Sequence, residues 1–476
     1  MKKNKELNKK AVTVSKSNSD LAVKYFRKNS EDFLEELKSL VRIKSISAPG
    51  FDHKEVSSCA AAIMHQLKEI GMKSVEILDV PGAHPYVFAE WKEKKNTPTV
   101  ILYSHYDVQP TGDLKKWKTD PFEPTSVGER LFGRGSADDK AGIVANIAAL
   151  ASYLKPCGEL PVNVKVIFEG EEEIGSENLP KLLEMYKDKL AADYIIITDT
   201  ENYDVGIPAI TTQLRGLVAV DITVSTLKQP VHSGAWGGPI PDAVQALAKI
   251  IAKMTDDDGK IKIPGIYKDV AEISAETRKA LKSLPFNEGA FRKNSCLLDE
   301  AVLTGEKDFS PHEQIWFRPS LSVNAIQASS REQVSNILVD FAWAHVGIRL
   351  VPNLDPKKTL DQLKKFVIEN APKNVLVDVK PHVAVSWWKT DTKHKAFKAA
   401  QMALEKGYGR KPVFIGCGGS IGFVDPFSRI LGGVPAILLG VEDPNTNAHS
   451  WNESLYVPDW KKCVESLIYL YEKLGE

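Results

Sequence analysis

Cysteine is scarce and scattered in this chain. Five occur among 476 residues, at Cys59, Cys157, Cys296, Cys417 and Cys463, with no CxxC pair. That odd, dispersed set excludes a disulfide framework and a thiolate zinc knuckle, and it fits a reduced, cytoplasmic setting. An excess of charge is lacking too. Lys and Arg number 62, Asp and Glu 62, so the formal net charge is zero. A nucleic-acid binder needs a basic surplus to neutralise phosphates, so no nucleic-acid partner is expected. No apolar run approaches the roughly 20 residues of a membrane helix. The opening MKKNKELNKK is not followed by the apolar core of a signal peptide. Neither a membrane partner nor export is expected, and the first 20 or so residues read as a solvated basic tail. The apolar share is 43%, which supports a real core. The length suggests two or three domains at roughly 150 residues each.

The segments Ser30–Val41 and Lys54–Ile70 carry apolar residues at helical spacing, the second stopped by Gly71. Four runs of strand length follow: Thr99–Tyr103 (TVILY), Val164–Phe168 (VKVIF), Tyr194–Thr198 (YIIIT) and Pro435–Leu439 (PAILL). They are nearly continuous in apolar residues, as strands buried on both faces are, so an α/β sheet covered by helices is implied. Lys140–Leu154 and Asp391–Lys406 read as covering helices. From Leu214 to Ala384 the pattern changes. An alternating strand, Val218–Val224, leads into helices at Pro241–Met254 and Arg331–Phe341 and strands near Gly347–Val351 and Val375–Val379. The expected organisation is a discontinuous α/β domain, 1–213 and 385–476, with an inserted α+β domain, 214–384.

Each of the four buried runs leads into acids or histidines. TVILYSHYD delivers His105 and Asp107, VKVIFEGEEEIG delivers Glu171, Glu172 and Glu173, YIIITD delivers Asp199, and PAILLGVEDPNTNAH delivers His449. A glycine-rich turn, GRGSADDKAG, adds Asp138 and Asp139, either of which could instead cap the helix behind it. In open α/β sheets ligands gather outside the carboxyl ends of the strands. Carboxylates crowded there repel one another unless a cation intervenes. Histidines and carboxylates without cysteine suit zinc, manganese or cobalt. The ligand groups exceed what one catalytic zinc uses, so two divalent ions about 3.5–4 Å apart, activating a water for hydrolysis, fit better.

A competing pattern is GGSIG at Gly418–Gly422, which matches the G-x-S-x-G elbow of serine hydrolases, with Asp443 and His449 behind it in triad order. Pro426 disfavours the helix such an elbow requires. The serine reading also leaves His105, Asp138, Glu173 and Asp199 without a role.

The stretches SHYDVQP, GRGSADDKAG, EGEEEIGS, ITDT, VHSGAWGG, IRLVPN, GCGGSIG and NAHSWNE resemble, in this order, the motif set of the M20 metallopeptidase family. The resemblance is greatest to its cytosolic non-specific dipeptidase and carnosinase branch. It implies a zinc-peptidase-like catalytic domain with a covered mixed sheet and a lid or dimerisation domain, assembled as a homodimer acting on small peptides. It further implies that His105 and Asp199 hold one metal ion, Glu173 and His449 a second, and Asp138 both. Glu172 aligns with the general base, and the Asp138–Asp139 peptide with a cis bond. Glu171 is expected to be electrostatic background. Asp107 is expected to accept the imidazole N–H of His105. His232 matches a histidine that reaches the partner subunit's site, where it stabilises the oxyanion. Arg349 and Ser420 match the grip on the substrate's carboxylate, with Asn336 and His382 as further contacts. Trp451, beside His449, departs from the pattern and is expected to narrow the pocket. An amidase reading, with N-acyl amino acids as substrates of a deacylase or desuccinylase, uses the same residues. Every matched ligand position and that of the base are intact, which favours an enzyme over a binding module of the same fold.

Overall fold

The computed structural model describes residues 17–332 and 334–476. At its centre the strands Asn163–Glu169, Thr99–His105, Tyr194–Glu201 and Ala436–Glu442 lie side by side, all parallel. Apart from Pro435, these contain the four runs marked by the sequence. Successive side chains alternate between the sheet's faces. Val100 and Leu102 join one core, while Ile101 and Tyr103 join another on the opposite face. Apolar residues are therefore needed at both parities. Antiparallel strands extend the sheet to nine: Ser74–Leu78 and Tyr86–Trp91 on one side, Ala209–Leu214 and Trp388–Lys389 on the other. Val413–Cys417 also pairs with Ala209–Leu214, in parallel. The chain is thus a mixed-sheet α/β protein.

The helix Lys140–Cys157 is buried from Lys140 to Tyr153 and lies between the sheet and the helices Asn18–Val41 and Val457–Gly475. A helix apolar on all sides has to be enclosed in this way. The first helix begins at Asn18, with Ser17 capping it, rather than at Ser30. Ala22, Val23 and Phe26 are buried in the core, which corrects the solvated-tail reading from Ser17 onward. Residues 1–16 lie outside the described residues. The short helices Leu179–Met185 and Val424–Ile430 cover the other face.

A second sheet, antiparallel throughout, has the order Ser320–Gln327, Phe341–Leu350, Gly216–Ser225, Leu376–Val385. Val218, Val220, Ile222 and Val224 turn to a core shared with the helices Ala243–Ala252 and Pro356–Asn370. The two sheets meet at Gly216, where a Cβ would stand 2.5 Å from the Val385 carbonyl oxygen, so only glycine allows the two connecting strands to approach. The described residues of Arg331–Phe341 form no helix. Ile337–Leu338 instead pairs with Val231–His232, and Phe341 opens a strand. Val334, Ile337 and Phe341, the stretch's apolar residues at helical spacing, are exposed, so no core favours a helical stripe. Leu284 and Trp316 pack with Ala209 and Ile415 of the large sheet, so part of the 214–384 segment rests on that sheet.

Candidate active site at the carboxyl edge of the large sheet

Parallel strands aim their carboxyl ends one way, and the expected ligands converge there. His105 ends its strand and Asp199 lies near the end of the next. His105, Asp138 and Asp199 form one set, and Asp138, Glu173 and His449 another. In each, one donor atom per residue lies within 4.8 Å of the others. Asp138 belongs to both. Its Oδ1 lies 3.0 Å from His105 Nε2, and its Oδ2 lies 3.0 Å from His449 Nε2. His105 Nε2 is also 3.5 Å from Asp199 Oδ1, and His449 Nε2 is 3.0 Å from Glu173 Oε2. His449 holds this position with φ 59°, a left-handed conformation that persists where the surroundings fix it.

The cluster is short of positive charge. Burial, reinforced by Asp138, lifts the Glu173 carboxyl to about 7. Burial also raises Asp199 and takes Glu172 well above the usual carboxylate range. Burial opposes ionisation of Asp138 as well, but hydrogen bonds from His105 and His449 outweigh it and keep that carboxyl low. Hydrogen bonds to Asp138 and Glu173 push His449 up to about 11. Imidazoles drawn toward protonation and acids drawn toward neutrality are what a carboxylate-rich site shows when cations are needed. A carboxylate offering one oxygen to each of two donor sets fits a pair of divalent ions.

Residues around the cluster hold it in place. The imidazole N–H of His105 meets the backbone oxygen of Asp107 at 3.1 Å, not its carboxylate, whose Oδ1 is 3.4 Å away. The carboxylate instead accepts the backbone N–H groups of Glu172 and Glu173 and the hydroxyl of Ser47. Asp139 caps the helix behind it through the N–H of Gly142, which leaves Asp138 free for the cluster, and the peptide between them is cis. Glu171 is a buried anchor rather than background. Its carboxylate takes the Tyr86 hydroxyl at 2.7 Å and the N–H groups of His84 and Asn178. Three further residues were not singled out in the sequence. Gln109 donates to the Glu173 carboxylate. Glu453 accepts the N–H groups of Gly135, Ala137 and Asp138 and pairs with buried Arg134 at 2.6 Å. Arg134 also donates to the carbonyl of Ser450, which ties the Asp138 turn to the His449 loop. The only sequence signal for Glu453 is its place in the NAHSWNE motif.

Arg349 donates to Ser420 Oγ at 2.7 Å. Arg215, unremarked in the sequence, donates to the carbonyl of Gly418 in the same loop. Burial and then the neighbouring Arg349 charge bring its guanidinium down to about 10. Gly418 also borders a cavity of about 500 Å³ walled by Phe286, Phe291, His312 and Trp316. No serine triad forms. Ser420 is engaged by Arg349, Asp443 is bound by Arg130 at 2.9 Å, and His449 faces Asp138 and Glu173. His232 and Asn336 stand apart, exposed on the small two-stranded pairing, where the Ser233 N–H meets the Asn336 carbonyl. His382 lies on the second sheet beside Asp221 and His345. Trp451 is exposed, with the Lys116 ammonium 4.0 Å from its ring centre.

The chain is 30% identical over 432 residues to the cysteinylglycine-S-conjugate dipeptidase of Corynebacterium striatum, spanning 90% of this chain and 92% of that protein. It is 28% identical over 455 residues to the Beta-Ala-His dipeptidase of Homo sapiens, spanning 90% and 88%. Its fold matches the crystal structure of human carnosine dipeptidase 1 with a TM-score of 0.85 at 26% identity, over 97% of this chain and 99% of that one. Residues 101–473 match peptidase family M20/M25/M40, and with the paired histidine–carboxylate sets already at the sheet edge, the chain belongs to that family.

Proposed function

We propose that this enzyme hydrolyses the amide bond of dipeptides with two divalent ions and Glu172 as general base. The observation that carries the reading is the Asp138 carboxylate, with one oxygen toward His105 and the other toward His449. His105, Asp138 and Asp199 would hold one ion, and Asp138, Glu173 and His449 the other; the donors suit zinc, then manganese or cobalt. Bound there, the ions supply Lewis acidity to the scissile carbonyl and make water a nucleophile near neutral pH. Glu172 accepts the proton of the attacking water and delivers it to the leaving amine. Its burial raises its affinity for a proton, which suits that exchange.

Arg349, steadied by Ser420, grips the substrate's free carboxylate, with Asn336 and His382 as further contacts. The cavity beside Gly418 offers room for a side chain of the bound peptide. Residues 214–384 act as lid and dimerisation domain, and His232 serves the oxyanion in the partner's site. The exposure of His232, away from its own chain's cluster, supports that assignment. The edge strand Ser320–Gln327, with Val323 and Ile326 exposed, supports a homodimer. Five unpaired cysteines support a cytoplasmic setting. No helix among the described residues is long and apolar enough to cross a membrane.

The deciding experiment compares dipeptides with N-acetyl and N-succinyl amino acids, with and without a chelator. Dipeptide hydrolysis that the chelator abolishes is expected. Turnover of acyl amino acids alone would move the enzyme to the amidase reading. Activity that survives chelation but is lost in Ser420→Ala would return it to serine chemistry.

A further inference from the structure

A third group of metal-ligating side chains lies away from the large sheet's edge. On the four-stranded sheet, the neighbours of Asp221 (Val220, Ile222) and of His345 (Ala344, Val346) are buried in the core. Alternation therefore turns Asp221 and His345 to the opposite face. The two residues are direct partners across adjacent strands, with His345 Nδ1 2.7 Å from Asp221 Oδ1. The third member arrives through an irregularity. Pairing of Leu376–Val385 with Gly216–Ser225 slips between Pro381 and Val383, and His382 is the extra residue. An extra residue of this kind re-aims a side chain. Here the His382 ring stands at 90° to that of His345 with centroids 4.8 Å apart, and its Nδ1 is 3.9 Å from Asp221 Oδ2. One donor atom from each of the three residues lies within 4.8 Å of the others.

We propose that Asp221, His345 and His382 form a third divalent-metal site, separate from the pair at the sheet edge. Two imidazoles and one carboxylate, with open positions for water, are a donor set for zinc and its transition-metal neighbours. Ligands at about 2.0–2.1 Å in tetrahedral array stand about 3.3 Å apart. His345 Nδ1 lies 2.7 Å from Asp221 Oδ1 and His382 Nδ1 3.9 Å from Asp221 Oδ2, with one donor atom from each of the three residues within 4.8 Å of the others, so side-chain rotation would be needed to close them on one ion. Lys380, opposite Asp221 in register, directs its ammonium to Asp378 at 3.5 Å and leaves Asp221 to the histidines. A plain Asp221–His345 hydrogen bond would account for two of the three residues, but not for the extra residue that brings in His382. The site gives His382 a role besides the substrate contact proposed above, and it stands whether or not the dipeptidase reading does.

The test is metal stoichiometry. Full-length protein is stripped with a chelator and dialysed to equilibrium against Zn²⁺ alone, with bound metal measured per chain. A parallel Co²⁺ titration is followed by visible absorption. Asp221→Asn, which preserves side-chain shape, and His345→Ala are each expected to bind one ion fewer than wild type and to lose one component of the cobalt spectrum. Circular dichroism identifies any variant that fails to fold, and the other then decides. Equal stoichiometry and identical cobalt spectra in wild type and a folded variant would overturn the site.

Discussion

The Asp107 carboxylate accepts the backbone N–H of Glu173 at 3.0 Å, and its other oxygen accepts that of Glu172 at 3.1 Å. One side chain thus sets the turn that presents both the proposed base and a proposed ligand. Asp107→Asn places an amide N–H against one of these donors. The expected loss in kcat or metal affinity is about 10–100-fold, as for other residues that orient metal ligands. Steady-state kinetics and metal content check this, and an unchanged enzyme would remove Asp107 from the positioning role.

Adjacent acids are expected to behave in opposite ways. Glu172→Gln should lower kcat by about 10²–10⁴-fold with the unfolding midpoint retained. Glu171→Gln weakens a buried set of hydrogen bonds from Tyr86, His84 and Asn178, so its main effect should be on stability, about 1–3 kcal/mol. Urea unfolding beside kinetics separates the two. The reverse pattern would exchange their roles.

Glu453 offers a test of the link between the two loops. Its pair with Arg134 is almost wholly buried, with side-chain exposures of 0% and 2%. Glu453→Ala leaves a buried guanidinium uncompensated and three N–H groups without their acceptor. The expected cost is about 3–5 kcal/mol, read as a lowered unfolding midpoint. A loss no larger than that of an exposed Glu→Ala change would count against the link.

Stability should also depend on pH through Glu169. Burial is the largest influence on this carboxyl and raises it from 4.5 to about 8, although the Tyr103 hydroxyl donates to it at 2.5 Å and pulls the other way. Because the folded value is the higher, the folded state holds the extra proton. That stabilisation is complete below the unfolded value of 4.5 and is lost as pH rises through about 8. The slope is at most about 1.4 kcal/mol per pH unit. Urea unfolding of metal-stripped protein across this range should show the decline, and Glu169→Gln should flatten it. Parallel slopes in the two proteins would exclude Glu169 as the source.

The four central strands were legible because burial on both faces requires apolar residues at both parities, and four of the five ligands because each follows such a strand, while Asp138 comes from a glycine-rich turn. Asp107's grip on two backbone N–H groups was not legible, since a main-chain donor leaves no mark on the sequence. The run of Glu171, Glu172 and Glu173 announced an acidic turn but not its division of labour, which depends on Tyr86 and Asn178 arriving from other elements. Arg331–Phe341 matched a helical template, yet its structure was decided by pairing with Val231–His232, about a hundred residues upstream. The first part of the first helix, ahead of Ser30, was hidden by its charged surroundings, although Ala22, Val23 and Phe26 carry its buried stripe.

The placement of Ala436–Glu442 between Tyr194–Glu201 and Ala209–Leu214 has a consequence for how the molecule is made. The two outer strands leave the ribosome long before the strand that joins them. At about 5–20 residues per second, their facing edges wait on the order of tens of seconds for it. During that interval an apolar half-sheet with open hydrogen-bonding edges stands exposed, and Asp199 has no His449 loop opposite it. The newborn chain is therefore most open to wrong strand pairing in the interval before Ala436–Glu442 emerges.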